Sequence, residues 1–359
     1  MRSGPRAIIV FLLALLVVAG CGVVPGVGEP DPGGERGIGA GFGEAEVVAG
    51  GLEAPWGLAF LPDGNALVSE RDSGRVLRVG PGTEATEVGT VPGVVAGGEG
   101  GLLGLATSPE FERDQLVYAY LTAQSDNRIV RFRLGGGPAE VLVDGIPKAG
   151  IHNGGRIAFG PDGMLYAGTG DAAERSNAQD PGSLGGKILR LRPDGSVPAD
   201  NPDPGSPVWT LGHRNVQGLA WDDQGRLFAT EFGQNRVDEI NLIEKGANYG
   251  WPEVEGTGGG SRFRDPLVTW PTSQASPSGA AIAGDTLYVA ALRGKRLWTV
   301  PLDGAGGTGE PAALLSGAYG RLRHVAVAGD GALWVLTSNR DGRGDPAADD
   351  DRVLRFPRA

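Results

Sequence analysis

Short apolar runs of about four to six residues, punctuated by glycine, proline and aspartate, recur from near residue 46 to the end of the chain. The first full unit reads Gly57-Leu58-Ala59-Phe60, a Pro62-Asp63-Gly64 turn, Ala66-Leu67-Val68-Ser69, then Val76-Leu77-Arg78-Val79. Runs this short, bounded by turn residues, predict strands rather than helices. The first strand recurs around Leu105, Ile157, Leu219, Ala280 and Val325. The second recurs at residues 116–120, 165–168, 227–230, 287–290 and 333–336, and the third at 129–132, 188–191, 239–242, 297–300 and 353–356. Successive first strands lie 47, 52, 62, 61 and 45 residues apart, a period that suits propeller blades.

A further extended piece, such as Glu140-Val141-Leu142-Val143 or residues 311–315, follows the third strand and supplies a fourth, outer one. Glu46-Val47-Val48 precedes the first unit, while residues 353–356 end the chain as a third strand. The N-terminal strand is therefore expected to complete the last blade and close the ring, removing an open sheet edge. The fold class expected is all-β: a six-bladed β-propeller with four-stranded blades over residues 44–359. A pair of β-sandwiches is the alternative, and it accounts poorly for a six-fold recurrence.

Composition adds little to this and contradicts none of it. The 64 glycines and 26 prolines among 359 residues suit a turn-rich fold. A net charge of -11 argues against nucleic acid as a partner. The single cysteine, Cys21, rules out an intrachain disulfide. Its setting is informative, because Arg2 and Arg6 precede an apolar stretch that ends in Val18-Ala19-Gly20-Cys21. Residues 1–20 thus read as a secretory signal. Their end resembles the bacterial lipobox, which implies lipidation of Cys21 and retention on the outer face of the cell membrane. Residues 21–43 read as a flexible Gly/Pro-rich tether.

In a propeller the inner strands line the axis, so the segments leading into them meet at one end of the channel. Around the ring these carry Trp56, Glu99, His152 with Asn153, His213-Arg214-Asn215, Ser278, and Arg321 with Arg323. Guanidinium groups gathered with a histidine and an amide predict a pocket for an anionic, planar, polar ligand. Residues 171–187 and 193–208 are expected to shape the mouth, and the acidic run 345–351 reads as a solvated loop.

At these segments the sequence resembles the soluble pyrroloquinoline-quinone (PQQ) glucose and aldose sugar dehydrogenases, the glucose/sorbosone dehydrogenase family. The matching runs are Gly100-Gly101-Leu102-Leu103-Gly104, His152-Asn153-Gly154-Gly155-Arg156 and Gly212-His213-Arg214-Asn215-Val216-Gln217-Gly218-Leu219, followed by Asp238-Glu239-Ile240-Asn241-Leu242 and Asn248-Tyr249-Gly250-Trp251-Pro252. The resemblance implies PQQ across the channel mouth and a sugar or related alcohol as substrate, with an external electron acceptor. It makes His152 the general base and Arg214 the group that stabilises charge on the quinone oxygen. Asn215, Arg293, Arg321 and Arg323 would bind the cofactor, Arg293 replacing the family's lysine. Calcium would be held by the carbonyls of Gly233 and Gln234, and a second ion by Glu239 and the carbonyl of Tyr249.

Three positions depart from the family. Glu99 stands in place of glutamine and would bring negative charge toward an anionic cofactor. Ile151 replaces the aspartate that precedes the base in the glucose enzymes, and Phe232 occupies a usually polar position. Two other readings follow from the same residues. A non-catalytic, calcium-stabilised propeller that binds a glycan or protein is one, distinguished by binding without turnover. A metal-dependent hydrolase is the other; it needs carboxylates around an ion, where this mouth offers mainly Glu99.

Overall fold

Each recurring unit folds as a four-stranded antiparallel sheet, and six such sheets make up the computed structural model, which describes Met1, Gly4 and residues 41–359. Blade 1 comprises Pro55–Phe60, Ala66–Glu70, Arg75–Val79 and Thr86–Thr90. Blades 2 to 5 repeat this order, with inner strands Leu102–Thr107, Ile157–Phe159, Val216–Trp221 and Pro277–Ala283. The inner strands of neighbouring blades pack together, and that of blade 6 returns to blade 1. Helix is confined to the short turns Phe111–Asp114 and Ser176–Gln179 and a 3-10 turn at Gly260–Arg262 among the described residues.

Blade 6 is assembled from both ends of the chain. Its strands Leu322–Val327, Leu333–Thr337 and Val353–Phe356 are completed by Glu46–Ala49, which pairs antiparallel with the C-terminal strand. Val48 and Ala49 bury their side chains between blades 6 and 1, and Glu46 pairs with Arg355 at 2.7 Å. The six-bladed architecture closed by the N-terminal strand is thus present as expected.

Side chains alternate between the faces of each strand, so the hydrophobic core lies between blades. Leu58, Val68, Leu77, Trp334 and Leu336 fill the space between blades 6 and 1. Tyr118, Tyr120, Ile157 and Leu189 do the same between blades 2 and 3. Near the axis the inner strands approach so closely that a side chain has no room. A Cβ on Gly57 would lie 2.7 Å from the carbonyl oxygen of Leu103, and one on Gly104 would lie 2.3 Å from that of Gly155.

Two expectations need correction. Gly41–Gly43 are not tether: Phe42 bridges to Arg358, and the N–H of Gly43 donates to the carbonyl of Pro357 at 2.8 Å. The terminal strand leaves backbone groups open at its edge, and this segment satisfies them. The signal segment, Cys21 and the remainder of the tether lie outside the described residues. The acidic run is not wholly solvated either. Asp350 and Asp351 are buried, and their oxygens accept from the side chain and backbone N–H of Asn339 and from the N–H of Ala347 and Arg340. They act as turn acceptors for the loop between the last two C-terminal strands.

Deleting residues 41–49 is expected to expose the edge of strand Val353–Phe356. The melting temperature should fall by roughly 5–10 °C, as for a loss of several kcal/mol in a domain of this size, with self-association visible by size-exclusion chromatography.

Candidate active site at the channel mouth

Antiparallel order brings two sets of segments to the same end of the ring: those leading into the inner strands and those joining the second strand to the third. Together they surround a cavity of about 180 Å³ lined by Trp56, Arg71, Glu99, Gln217, Phe232, Leu292, Arg323, Asp341 and Arg343 among others. Trp56, Glu99, Gln217 and Arg323 belong to the first set. Arg71, Phe232, Leu292, Asp341 and Arg343 belong to the second.

His152 stands beside this cavity, with its side chain mostly buried and its backbone left-handed at φ 58°. A non-glycine residue is rarely held there unless its surroundings impose it. Three contacts do so. The His152 N–H donates to Glu99 Oε2 at 2.9 Å, and its carbonyl accepts from the N–H of Ala172 at 3.1 Å. The carbonyl also seats against Gly170, where a Cβ would come within 1.9 Å of it.

The imidazole is oriented by Asp171, whose Oδ1 lies 2.8 Å from His152 Nδ1. The other oxygen, Oδ2, accepts from Trp251 Nε1 at 2.8 Å, and the Ala173 N–H donates to Oδ1 at 2.8 Å. Burial opposes ionisation of Asp171, yet the hydrogen bonds from His152, Trp251 and Ala173 hold its carboxyl below the usual aspartate range. An ionised carboxylate can only accept, so in the neutral imidazole the proton sits on Nδ1 and Nε2 keeps a lone pair.

Glu99 does not bring bare charge to the cavity. Its Oε1 is paired with Arg343 Nη1 at 2.8 Å, while Oε2 holds the His152 backbone. The carboxylate is therefore neutralised by a guanidinium from blade 6. Ile151 is exposed at this rim, and Phe232 lines the cavity.

The arginines differ in their surroundings. Arg214 donates through Nη1 to the carbonyls of Phe232 and Gly233, at 3.2 and 2.5 Å, and its guanidinium carbon sits 5.5 Å from the Trp251 ring. Burial lowers its pKa, and its Nε is buried without an acceptor among the described residues. The same holds for Asn215 Nδ2, although Asn215 Oδ1 accepts from the Gly154 N–H. Arg323 lines the cavity, donating to Gln217 Oε1 at 2.9 Å. Arg321 is tied to Asp341 at 2.7 Å, which also draws in Arg323 at 3.4 Å. Arg293 is exposed next to Leu292. His213 belongs to another role than the mouth. It is fully buried, bonded to Glu231 and Thr210 and stacked on Tyr249 at 4.7 Å, because its strand-leading turn faces inward between blades 3 and 4.

The residues expected to hold calcium fall into two groups. The turn containing Gly233 and Gln234 is fixed by Glu255, whose Oε1 accepts N–H bonds from Gln234, Asn235 and Arg236 at 2.7–3.0 Å. Gly233 carbonyl accepts from Arg214, and a carbonyl oxygen retains a second lone pair. Glu239 lies opposite Glu231 on the neighbouring strand; burial and that charge push its carboxyl up to about 8. Asn241 Oδ1, two residues on, is buried without a donor. Buried acidic oxygens that repel one another suit a hard cation. Among the described residues no three His, Cys, Asp or Glu side chains converge as a metal cluster. Backbone carbonyls would have to supply much of any coordination.

The profile of the Glucose / Sorbosone dehydrogenase family matches residues 52–346. Aldose sugar dehydrogenase YliI of Escherichia coli is 31% identical, over 83% of this chain and 90% of its own length. Quinoprotein glucose dehydrogenase B of Acinetobacter calcoaceticus is 35% identical over 59% of this chain, which spans only 53% of that longer relative. The PQQ-bound structure of an aldose sugar dehydrogenase from Streptomyces coelicolor superposes with a TM-score of 0.84 at 56% identity, over 88% of this chain and 98% of the other.

Replacing Asp171 by asparagine should release the tautomer. The chain has only three histidines, so imidazole ¹⁵N spectra can resolve His152. Its Nε2 should become substantially protonated in Asp171→Asn, whereas the wild type keeps the proton on Nδ1.

Proposed function

The chain belongs to the glucose/sorbosone dehydrogenase family and is a PQQ-dependent sugar dehydrogenase; we propose that it oxidises an aldose or related alcohol with His152 as the general base. The His152–Asp171 pair beside an arginine-lined cavity is the observation that carries this reading. When bound, the quinone supplies the two-electron acceptor that takes hydride from the substrate carbon.

The cavity fits such a cofactor chemically. Arg214 Nε and Asn215 Nδ2 are buried donors without acceptors among the described residues, and Trp56 and Phe232 offer ring faces. Arg323, with Arg321 and Arg293 nearby, supplies positive charge for carboxylates, and bidentate guanidinium contacts suit them. Calcium at the Gly233 and Gln234 carbonyls would add positive charge beside Arg214. A second ion at Glu239 and the Tyr249 carbonyl would relieve the repulsion from Glu231.

The chain's own residues then divide the work. His152 Nε2 takes the proton of the substrate hydroxyl as the C–H bond gives up its electron pair. Asp171 stabilises the imidazolium that results and holds the ring in place. Arg214 meets negative charge developing at the cofactor oxygen, in a setting where burial strengthens each contact. Turnover would require an external electron acceptor to restore the oxidised cofactor. Ile151, exposed beside the base, presents an apolar edge to the substrate.

Adding PQQ and Ca²⁺ to the purified apoprotein should restore quinone absorbance and dye reduction with a panel of aldoses. Neither appearing would end the proposal, and glycan binding without dye reduction would replace it with a binding role. His152→Ala should lower turnover by about 10²–10⁴-fold while PQQ affinity is largely kept.

We also infer that Cys21 carries lipid and holds the enzyme at the outer face of the bacterial membrane. Several acyl chains together give firm retention, at about 0.8 kcal/mol per buried methylene. Cys21→Ser should move the protein from the membrane fraction to the soluble fraction; unchanged retention would refute the anchor.

A further inference from the structure

The residue just before the central apolar position of each inner strand is glycine in four blades: Gly57, Gly104, Gly218 and Gly279. These glycines sit where inner strands nearly touch. A Cβ on Gly218 would come within 2.3 Å of the Ser278 carbonyl, and one on Gly279 within 2.0 Å of His324 Nδ1. Blades 3 and 6 carry Arg156 and His324 at the matching positions. A guanidinium has thus been placed inside the ring where four other blades have no side chain.

Arg156 is buried, and its Nε donates to the Gln217 carbonyl at 2.8 Å. Its guanidinium carbon lies 4.3 Å from the centre of the Trp56 ring, with that of Arg323 at 5.7 Å from the same ring. Both arginines also bond to Gln217, Arg323 through the side-chain oxygen. Arg156 Nη2 and Arg323 Nε are buried with no acceptor among the described residues.

The charges here do not balance. Arg321 and Arg323 share the single carboxylate of Asp341, and no ion pair reaches Arg156 among the described residues. Arg71 is occupied by Asp72, and Glu99 by Arg343. Burial first, then the positive charge of Arg323, lower Arg156 to about 9, so it remains cationic at neutral pH. His324, buried and facing Arg156, is held well below its ordinary pKa and adds no compensating charge. A desolvated guanidinium with an unspent N–H costs several kcal/mol unless an acceptor, ideally a charged one, meets it.

We propose that a small inorganic anion of halide size binds near the ring axis, held by Arg156 Nη2 alongside Arg323. Trp56 and Arg323 also line the cofactor cavity, so the two sites adjoin. The anion must be small, because the N–H groups that would hold it are shut off from solvent by close-packed strands. The anion would offset buried positive charge on the blade 3 and blade 6 sides of the axis and so tie opposite parts of the ring together.

The test uses the full-length protein without added cofactor. It is dialysed into sodium gluconate, then titrated with sodium bromide at constant ionic strength. A saturable rise in melting temperature of a few degrees is expected for the wild type. Crystals grown with bromide should give an anomalous peak in contact with Arg156 Nη2. Arg156→Met should melt no lower than the wild type in gluconate and should show no bromide response. The proposal fails if bromide and gluconate give the same wild-type melting curve, or if the variant responds like the wild type. Anomalous peaks found only on the surface would also overturn it, which keeps the crystal decisive if the variant does not fold.

Discussion

Close approach of the inner strands is the constraint on which the molecule depends. Around the axis, neighbouring backbones come so near that glycine is required at positions such as Gly57, Gly104 and Gly218. That proximity brings the strand-leading segments of separate blades within reach of one another. It also shields side chains near the axis from solvent, so each buried polar group there needs a protein or ligand partner. A guanidinium near the axis therefore acts in a low-dielectric setting, where its charge counts for far more than on the surface.

The balance of charge follows from the same geometry. The protein is acidic as a whole, at -11, yet its mouth is built from arginines. Only some of these are matched by a carboxylate. Asp341 fixes the direction of Arg321 and Arg323, and Glu99 is shared between the His152 backbone and Arg343. Carboxylates at this site therefore serve mainly to aim cations and to fix His152. Donors left unspent, such as those on Arg214 and Asn215, mark where a guest must complete the bonding.

The fold was almost wholly legible in the sequence, because strand periodicity and turn residues are local signals. Blade count, strand order and closure by Glu46–Ala49 all follow from them. The site was half legible. Segments leading into inner strands could be aligned by period, which located His152, Arg214 and Arg323. The second-to-third strand connections vary in length, from a short turn in blade 1 to the long loops of blades 3 and 6, and no period marks their residues. Asp171, Asp341 and Arg343 all lie on such connections and went unrecognised as partners. Antiparallel pairing alone could have flagged them, since a strand returning from the far end must turn at the same mouth. Asp171 supplies the acidic partner that Ile151 does not, from 19 residues further along the chain.

The two-ended construction of blade 6 also bears on how the protein is made. Glu46–Ala49 leaves the ribosome early and must wait, with unpaired backbone, until Val353–Phe356 has been made. Arg321, Arg323, Asp341 and Arg343 sit in that same late blade. Chains released prematurely thus lack both the latch of the ring and the cationic half of the mouth. Closure of the ring and completion of its cationic mouth thus depend on one event, the meeting of these two strands.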